Sequence, residues 1–130
     1  MQSFKVSQAA RLLGVSDDTV RRWVDQGILP VTDASPTEIP GAALAQRAVD
    51  IAASVADPTD VLSSARNRFV GLVTRVQVDG VMAQVDIQSG PHRVVSLMSA
   101  EAARDLGLEP GSLAVAVVKA TTVIIETPKD

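Results

Sequence analysis

Ser64-Ala65-Arg66-Asn67-Arg68-Phe69 opens a β-rich stretch of the chain, and the same stretch later reaches Lys119-Ala120 at the end of an almost wholly apolar run. Hydroxyl, backbone N–H and ammonium donors brought together without a carboxylate make a pocket suited to an anion. Such a pocket suits a tetrahedral dianion, whose oxygens only accept hydrogen bonds. A second set of polar residues, Ser16, Thr19, Arg21 and Arg22, stands far upstream in a helical pattern. That pattern is a helix-turn-helix, which makes the first half of the chain a candidate DNA reader.

The elements that must position these residues follow from composition and periodicity. The 130-residue chain is 46% hydrophobic and 21% charged, a globular balance with room for one domain or two small ones. Aromatics are only 2%, so Val, Ile, Leu and Ala must fill the core. The longest aliphatic run, Leu113 to Val118, is far short of the roughly 20 residues that span a bilayer. Met1-Gln2-Ser3-Phe4-Lys5 lacks the basic start, apolar stretch and cleavage site of a signal peptide, and there is no cysteine for disulfides or thiolate metal sites. A cytoplasmic, membrane-free protein is therefore expected.

Residues 1–60 carry five basic side chains (Lys5, Arg11, Arg21, Arg22, Arg47) against eight acidic ones (Asp17, Asp18, Asp25, Asp33, Glu38, Asp50, Asp57, Asp60), a net of −3, while residues 61–130 are balanced. Bulk charge thus does not draw the chain to nucleic acid, and DNA contact must come from local placement or from several copies acting together.

In the first half, Ser7 can cap a helix over Gln8–Leu13, with Ala9, Leu12 and Leu13 on one face and Gly14 at its end. Ser16 caps the next helix, in which Val20, Trp23 and Val24 form the buried stripe and Gly27 and Pro30 mark the stop. Two short helices joined by Gly-Val-Ser make a helix-turn-helix, whose second helix is the usual major-groove reader. Arg21 and Arg22 could equally be a solvated face, given Asp17 and Asp18 one turn earlier, and Trp23 reads as core. Pro40 starts a third helix through Ala56. Its Leu44, Ala48, Ile51 and Val55 serve either packing onto the first two helices or self-association. Asp57-Pro58-Thr59-Asp60 reads as a linker.

From Phe69 the period changes to alternation, with Val81, Ala83, Val85 and Ile87 on one face and Gln84, Asp86 and Gln88 on the other. Asp79-Gly80 predicts a hairpin between strands 68–78 and 81–88, and Ser89-Gly90-Pro91-His92 a looser turn into strand 93–98. Ser99 caps a short helix, Ala100 to Leu106. Strands over 113–119 and 122–126 follow, an order that fits a Greek-key barrel of the OB type. The strand Leu113–Val118 is apolar on both faces, so it is central or its outer face meets another subunit.

Val6-Ser7-Gln8-Ala9-Ala10-Arg11-Leu12-Leu13-Gly14-Val15-Ser16, with Thr19-Val20-Arg21-Arg22-Trp23 and Gly27-Ile28-Leu29-Pro30, resembles the MerR and excisionase family of winged-helix DNA-binding domains. The resemblance implies that Ser16, Thr19, Arg21 and Arg22 face DNA. Where that family has a basic wing, residues 31–38 contain two acids and no Lys or Arg. Ser64-Ala65-Arg66-Asn67-Arg68-Phe69-Val70-Gly71, Leu106-Gly107-Leu108-Glu109-Pro110-Gly111 and Val118-Lys119-Ala120 resemble the molbindin, or Mop-type TOBE, family of molybdate- and tungstate-binding domains. That resemblance spans residues 63 to about 127 and places oxyanion contacts on Ser64, Ala65, Arg66, Asn67, Ser99, Lys119 and Ala120. Where many relatives have a second hydroxyl on the short helix, this chain has Ala102. It also implies a homo-oligomer, a dimer or trimer of dimers, with the sites at subunit interfaces.

The expected fold class is α+β in two domains. Residues 1–56 form an all-α winged helix-turn-helix domain, 57–62 a linker, and 63–130 a five-stranded OB-like β-barrel with one short helix. The ligand is molybdate or tungstate as an oxyanion, with Lys119 supplying countercharge and no protein-bound metal. A protonated phosphate would need an acceptor that the pocket lacks. No nucleophile-base pair, phosphate loop or metal cluster appears in the sequence, and His92 stands alone in a turn, so an enzyme is not expected. The functional expectation is a molybdate-responsive DNA-binding regulator. A molybdate store whose helical domain serves assembly is the alternative.

Overall fold

The computed structural model describes residues 2–52 and 57–129. The chain divides into two compact units, Met1–Ser54 and Val55–Asp130.

In the first unit, strand β1 (Ser3–Lys5) leads directly into helix α1 (Val6–Leu13), followed by α2 (Asp17–Asp25), β2 (Glu38–Pro40) and α3 (Gly41–Ile51). The expected all-α unit is thereby corrected, because β1 and β2 pair antiparallel with Phe4 opposite Ile39. That ribbon also moves the start of α1. Lys5 is held extended, its N–H donates to Gln8 Oε1 at 3.0 Å, and Val6 and Ser7 become the first turn, so Ser7 is not the cap. Gly14 ends α1 at φ 69°, a left-handed conformation that a Cβ disfavours. Ser16 caps α2 as expected, its Oγ accepting from the Thr19 N–H at 3.1 Å. No strand forms in residues 31–37, where a wing was expected. Pro40 precedes α3 as expected, but Ala52 is its C-cap position. The rest of the expected helix, residues 53–56, lies outside the described residues.

The core of this unit is Ala9, Ala10, Val20, Trp23, Leu29, Ile39 and Leu44. Trp23 is core, and Arg47 from α3 lies over its ring at 4.4 Å, a cation–π contact that helical periodicity did not reveal.

The second unit is a four-stranded antiparallel sheet of β3 (Asn67–Asp79), β4 (Met82–Ser89), β5 (His92–Ser99) and β6 (Leu113–Val118), with α4 (Ala100–Asp105) between β5 and β6. Its order is β5-β4-β3-β6. One long strand serves two partners: residues 67–72 of β3 pair with β6, and residues 72–79 pair with β4. A register shift between Val73 and Arg75 lets β3 bend as it changes partner, which curls the sheet. Val73, Val85 and Ile87 fill the concave side, with Met98, Leu108, Ala114 and Ala116 packed against them.

Gly71 sits where the two pairings meet. A Cβ there would lie 2.3 Å from the Gln88 carbonyl oxygen. Gly71→Ala is accordingly expected to destabilise the unit by about 3 kcal/mol, since the clash is with backbone that cannot rotate away. A urea midpoint equal to that of the wild type would contradict this.

Two expectations are corrected in this unit. The turn after β4 is tight, because Ser89 pairs with His92 across Gly90-Pro91. The fifth strand over 122–126 does not form. The Lys119 carbonyl accepts from both the N–H and the hydroxyl of Thr122, turning Ala120–Thr122 into a 3₁₀ helix and taking the chain out of the ladder. Asp86 stands on the face opposite Val85 and Ile87, as the alternation has it, yet is only 6% exposed.

Neighbours account for that burial. Asp86 Oδ2 accepts from Arg93 Nη2 at 2.7 Å and Nε at 3.1 Å, while Oδ1 accepts from Gln84. Hydrogen bonds from Gln84 and then Arg93 hold its carboxyl below the ordinary value of 3.8, with Arg75 adding to the positive field. A depressed folded-state pKa gives stability that is fully present above that ordinary value and lost as pH falls through the folded one. Asp86→Asn should therefore lower the melting temperature at pH 6 and leave a flatter acid limb than the wild type. Parallel wild-type and mutant melting curves from pH 6 to pH 2 would contradict the assignment.

Candidate functional site

The start of β3 and the end of β6 lie side by side. Asn67 is opposite Val118 in the register, and Asn67 Nδ2 also donates to the Val118 carbonyl at 3.3 Å. The Ser64–Asn67 arm and Lys119-Ala120 are thereby brought to one end of the sheet. Ser64, Arg66 and Lys119 are exposed, and Ala65 and Asn67 are half-buried. The Ala65 N–H turns to Ser63 Oγ at 3.1 Å, and Ala120 begins the 3₁₀ helix. Two cationic side chains and a hydroxyl thus collect where the backbone leaves the ladder.

Ser99 is not with them. It ends β5 opposite Met82, beside the Asp79 end of β3, and its Oγ accepts the Ala102 N–H as a helix cap. The two clusters stand at opposite ends of a 13-residue strand, a path of roughly 40 Å at about 3.3 Å per residue. One copy therefore offers two partial donor sets.

Beside the arm stands a group the sequence reading left in the linker. Arg68 donates to Asp57 Oδ2 through Nη2 at 2.7 Å and Nε at 3.2 Å, and to Thr59 Oγ1 at 3.2 Å. The Thr59 hydroxyl and then the Arg68 guanidinium hold the Asp57 carboxyl at about 2. The only signal was Asp57-Pro58-Thr59, a turn in which Asp57 Oδ1 accepts the Thr59 N–H at 2.9 Å. Its partner eleven positions on was not legible.

A concavity of about 580 Å³ opens in the second unit, lined by Ile87, Met98, Leu106, Leu108 and Val115 among others. Its walls are chiefly apolar and supply few groups to hold an anion. Among the described residues no cluster of His, Cys, Asp and Glu could hold a metal ion.

In the first unit, Arg21 and Arg22 project away from the Val20 and Trp23 core and are exposed. Ser16 and Thr19 are partly committed: Ser16 Oγ takes the Thr19 N–H and lies 2.9 Å from Thr19 Oγ1. Arg21 Nη1 donates to Asp18 Oδ1 at 3.3 Å, an exposed pair of the kind worth little. No described helix is long and apolar enough to cross a membrane.

These features define a two-part protein, a helix-turn-helix unit and a curled antiparallel sheet with one capping helix. The TOBE domain model matches residues 63–125, and a helix-turn-helix domain model matches residues 3–45. The chain is 38% identical over 63 residues to molybdenum-pterin-binding protein 3 of Clostridium pasteurianum, covering 48% of this chain and 93% of that protein. It belongs to the TOBE-domain family, in its molybdenum-binding molbindin branch, with a helix-turn-helix domain ahead of the family's domain.

The molybdenum transport protein ModE of Herbaspirillum seropedicae is 35% identical over 66 residues, which is 50% of this chain but only 24% of ModE. Among solved structures, the cytoplasmic molybdate-binding protein ModG with molybdate bound matches at 36% identity and a TM-score of 0.52, over 55% of this chain and 52% of that one. MopII from Clostridium pasteurianum matches at 33% identity and a TM-score of 0.48, over 51% of this chain and all of MopII.

Proposed function

We propose that the chain binds molybdate or tungstate in the cytoplasm and acts as a molybdate-responsive DNA-binding regulator. The observation that carries this reading is the meeting of the Ser64–Asn67 arm with Lys119-Ala120, in a chain that also presents Arg21 and Arg22 on an exposed helix. In this reading residues 1–56 are the DNA reader, 57–62 the linker and 63–130 the oxyanion domain. Membership of the TOBE family and the likeness to ModG support the ligand; the helix-turn-helix match supports the DNA partner.

Within the site, Lys119 and Arg66 neutralise the dianion. Ser64, Asn67, Ser99 and the Ala120 amide fix its oxygens, and the Ala65 amide joins them once it leaves Ser63 Oγ. Because Ser99 stands at the far end of β3 from Lys119, the complete donor set takes the arm of one copy and the Ser99 end of another. A homo-oligomer with sites at its interfaces follows. Exposed apolar residues support it: Leu113 and Val117 on β6 are 54% and 51% exposed, and Ile124 and Ile125 beyond it 84% and 85%.

A molybdate store is favoured by one observation, the acidic balance of residues 1–60 together with the Asp18 carboxylate on Arg21. A gel shift on the chain's own upstream DNA separates the two. The regulator shows sequence-selective binding that changes with molybdate. Equal affinity for random DNA, indifferent to molybdate, would leave the store.

A further inference from the structure

The Asp57–Arg68 pair belongs to neither the helical reader nor the donor set, yet it encloses the Ser64–Asn67 arm. Its two residues are eleven positions apart, and the chain between them contains Ser64, Ala65, Arg66 and Asn67. The pair closes that chain into a loop whose base is fixed four ways: Arg68 to Asp57, Arg68 to the Thr59 hydroxyl, and both the Thr59 N–H and the Thr59 hydroxyl to Asp57. The two side chains are 23% and 30% exposed, less open to water than those of the Arg21–Asp18 pair, although Asp57 itself lies in an exposed stretch of the chain. Two charge-assisted bonds to one carboxylate oxygen at 2.7 and 3.2 Å fix direction as well as distance.

We infer that Asp57, Thr59 and Arg68 are positioning residues for the oxyanion arm, so that the segment following the helical unit is a structural part of the anion site. This rests on the molybdate reading above. The physical argument is entropic. An arm closed at its base has lost much of its chain freedom before the anion arrives, and binding is relieved of that cost. Asp57 also neutralises Arg68 beside the arm, whereas Arg66 and Lys119 make no ion pair among the described residues. By linkage, an anion that favours the ordered arm must also favour the closed clasp.

The test is calorimetric titration of the full chain with sodium molybdate, for the wild type, Asp57→Asn, Thr59→Val and the charge swap Asp57→Arg with Arg68→Asp. Affinity is expected to fall about tenfold in Asp57→Asn, less in Thr59→Val, and to recover in the swap. A second readout is amide exchange at Thr59, which molybdate should slow in the wild type and leave unchanged in Asp57→Asn. Equal affinity in the wild type and Asp57→Asn overturns the inference. So does a Thr59 amide indifferent to molybdate in the wild type. If Asp57→Asn does not fold, Thr59→Val decides by the same comparison. A wild type that binds no molybdate defeats the ligand reading instead, and the two failures are distinct.

Discussion

Lys119→Ala is expected to abolish useful molybdate affinity. Lys119 directly follows β6, and among the described residues its hydrogen bonds run through its carbonyl, which accepts from Thr122 and survives the substitution. Its ammonium is exposed and free to act on a ligand. Removing a charged partner from a desolvated, hydrogen-bonded pair costs about 2–5 kcal/mol, which corresponds to about 30-fold to several thousand-fold in dissociation constant. The thermal midpoint of the unliganded protein should barely move. Near-native titration of this variant would take Lys119 out of the site.

Arg21→Ala combined with Arg22→Ala should remove DNA binding from a chain that otherwise folds normally. Both side chains leave the helix on the side away from Val20 and Trp23, so neither supports the core. A guanidinium that reads a base is worth about 1–3 kcal/mol, and each phosphate contact contributes roughly one unit to the slope of affinity against salt. With a net of −3 over residues 1–60, few other cations can compensate. The double variant should lose at least about 100-fold on the specific site and flatten the salt dependence by about two units. Unchanged retardation in a gel would show that α2 is not the reader, and the store would then be the better account.

What was legible in the sequence depended on how local its cause was. Ser16 as the cap of α2, Trp23 in the core, the Asp79-Gly80 hairpin and Ser99 at the head of α4 are each set by residues within a few positions, and all four hold. The β1–β2 ribbon was missed because its pairing joins residues 3–5 to 38–40, and three-residue strands carry too little alternation to be seen. Asp86 followed its expected face, but no local pattern announces that Arg93 and Gln84 will close over it.

The expected fifth strand failed for a different reason. Val123, Ile124 and Ile125 have strand character, but the bond pair from Thr122 to Lys119 diverts the chain before any pairing within the copy begins. On the site, the arm and Lys119 stand about fifty positions apart in the sequence. Pairing of β3 with β6 is what joins them. That Ser99 sits at the other end of β3 could be known only from the register, and so could the Asp57–Arg68 clasp at the foot of the arm.

The central claim is that this chain holds a doubly charged metal oxyanion in a cradle made only of donors. Calorimetric titration of the purified 130-residue chain with sodium molybdate tests it most directly. The account predicts saturable heat that competing tungstate displaces and that Lys119→Ala eliminates. No heat with either oxyanion would contradict it.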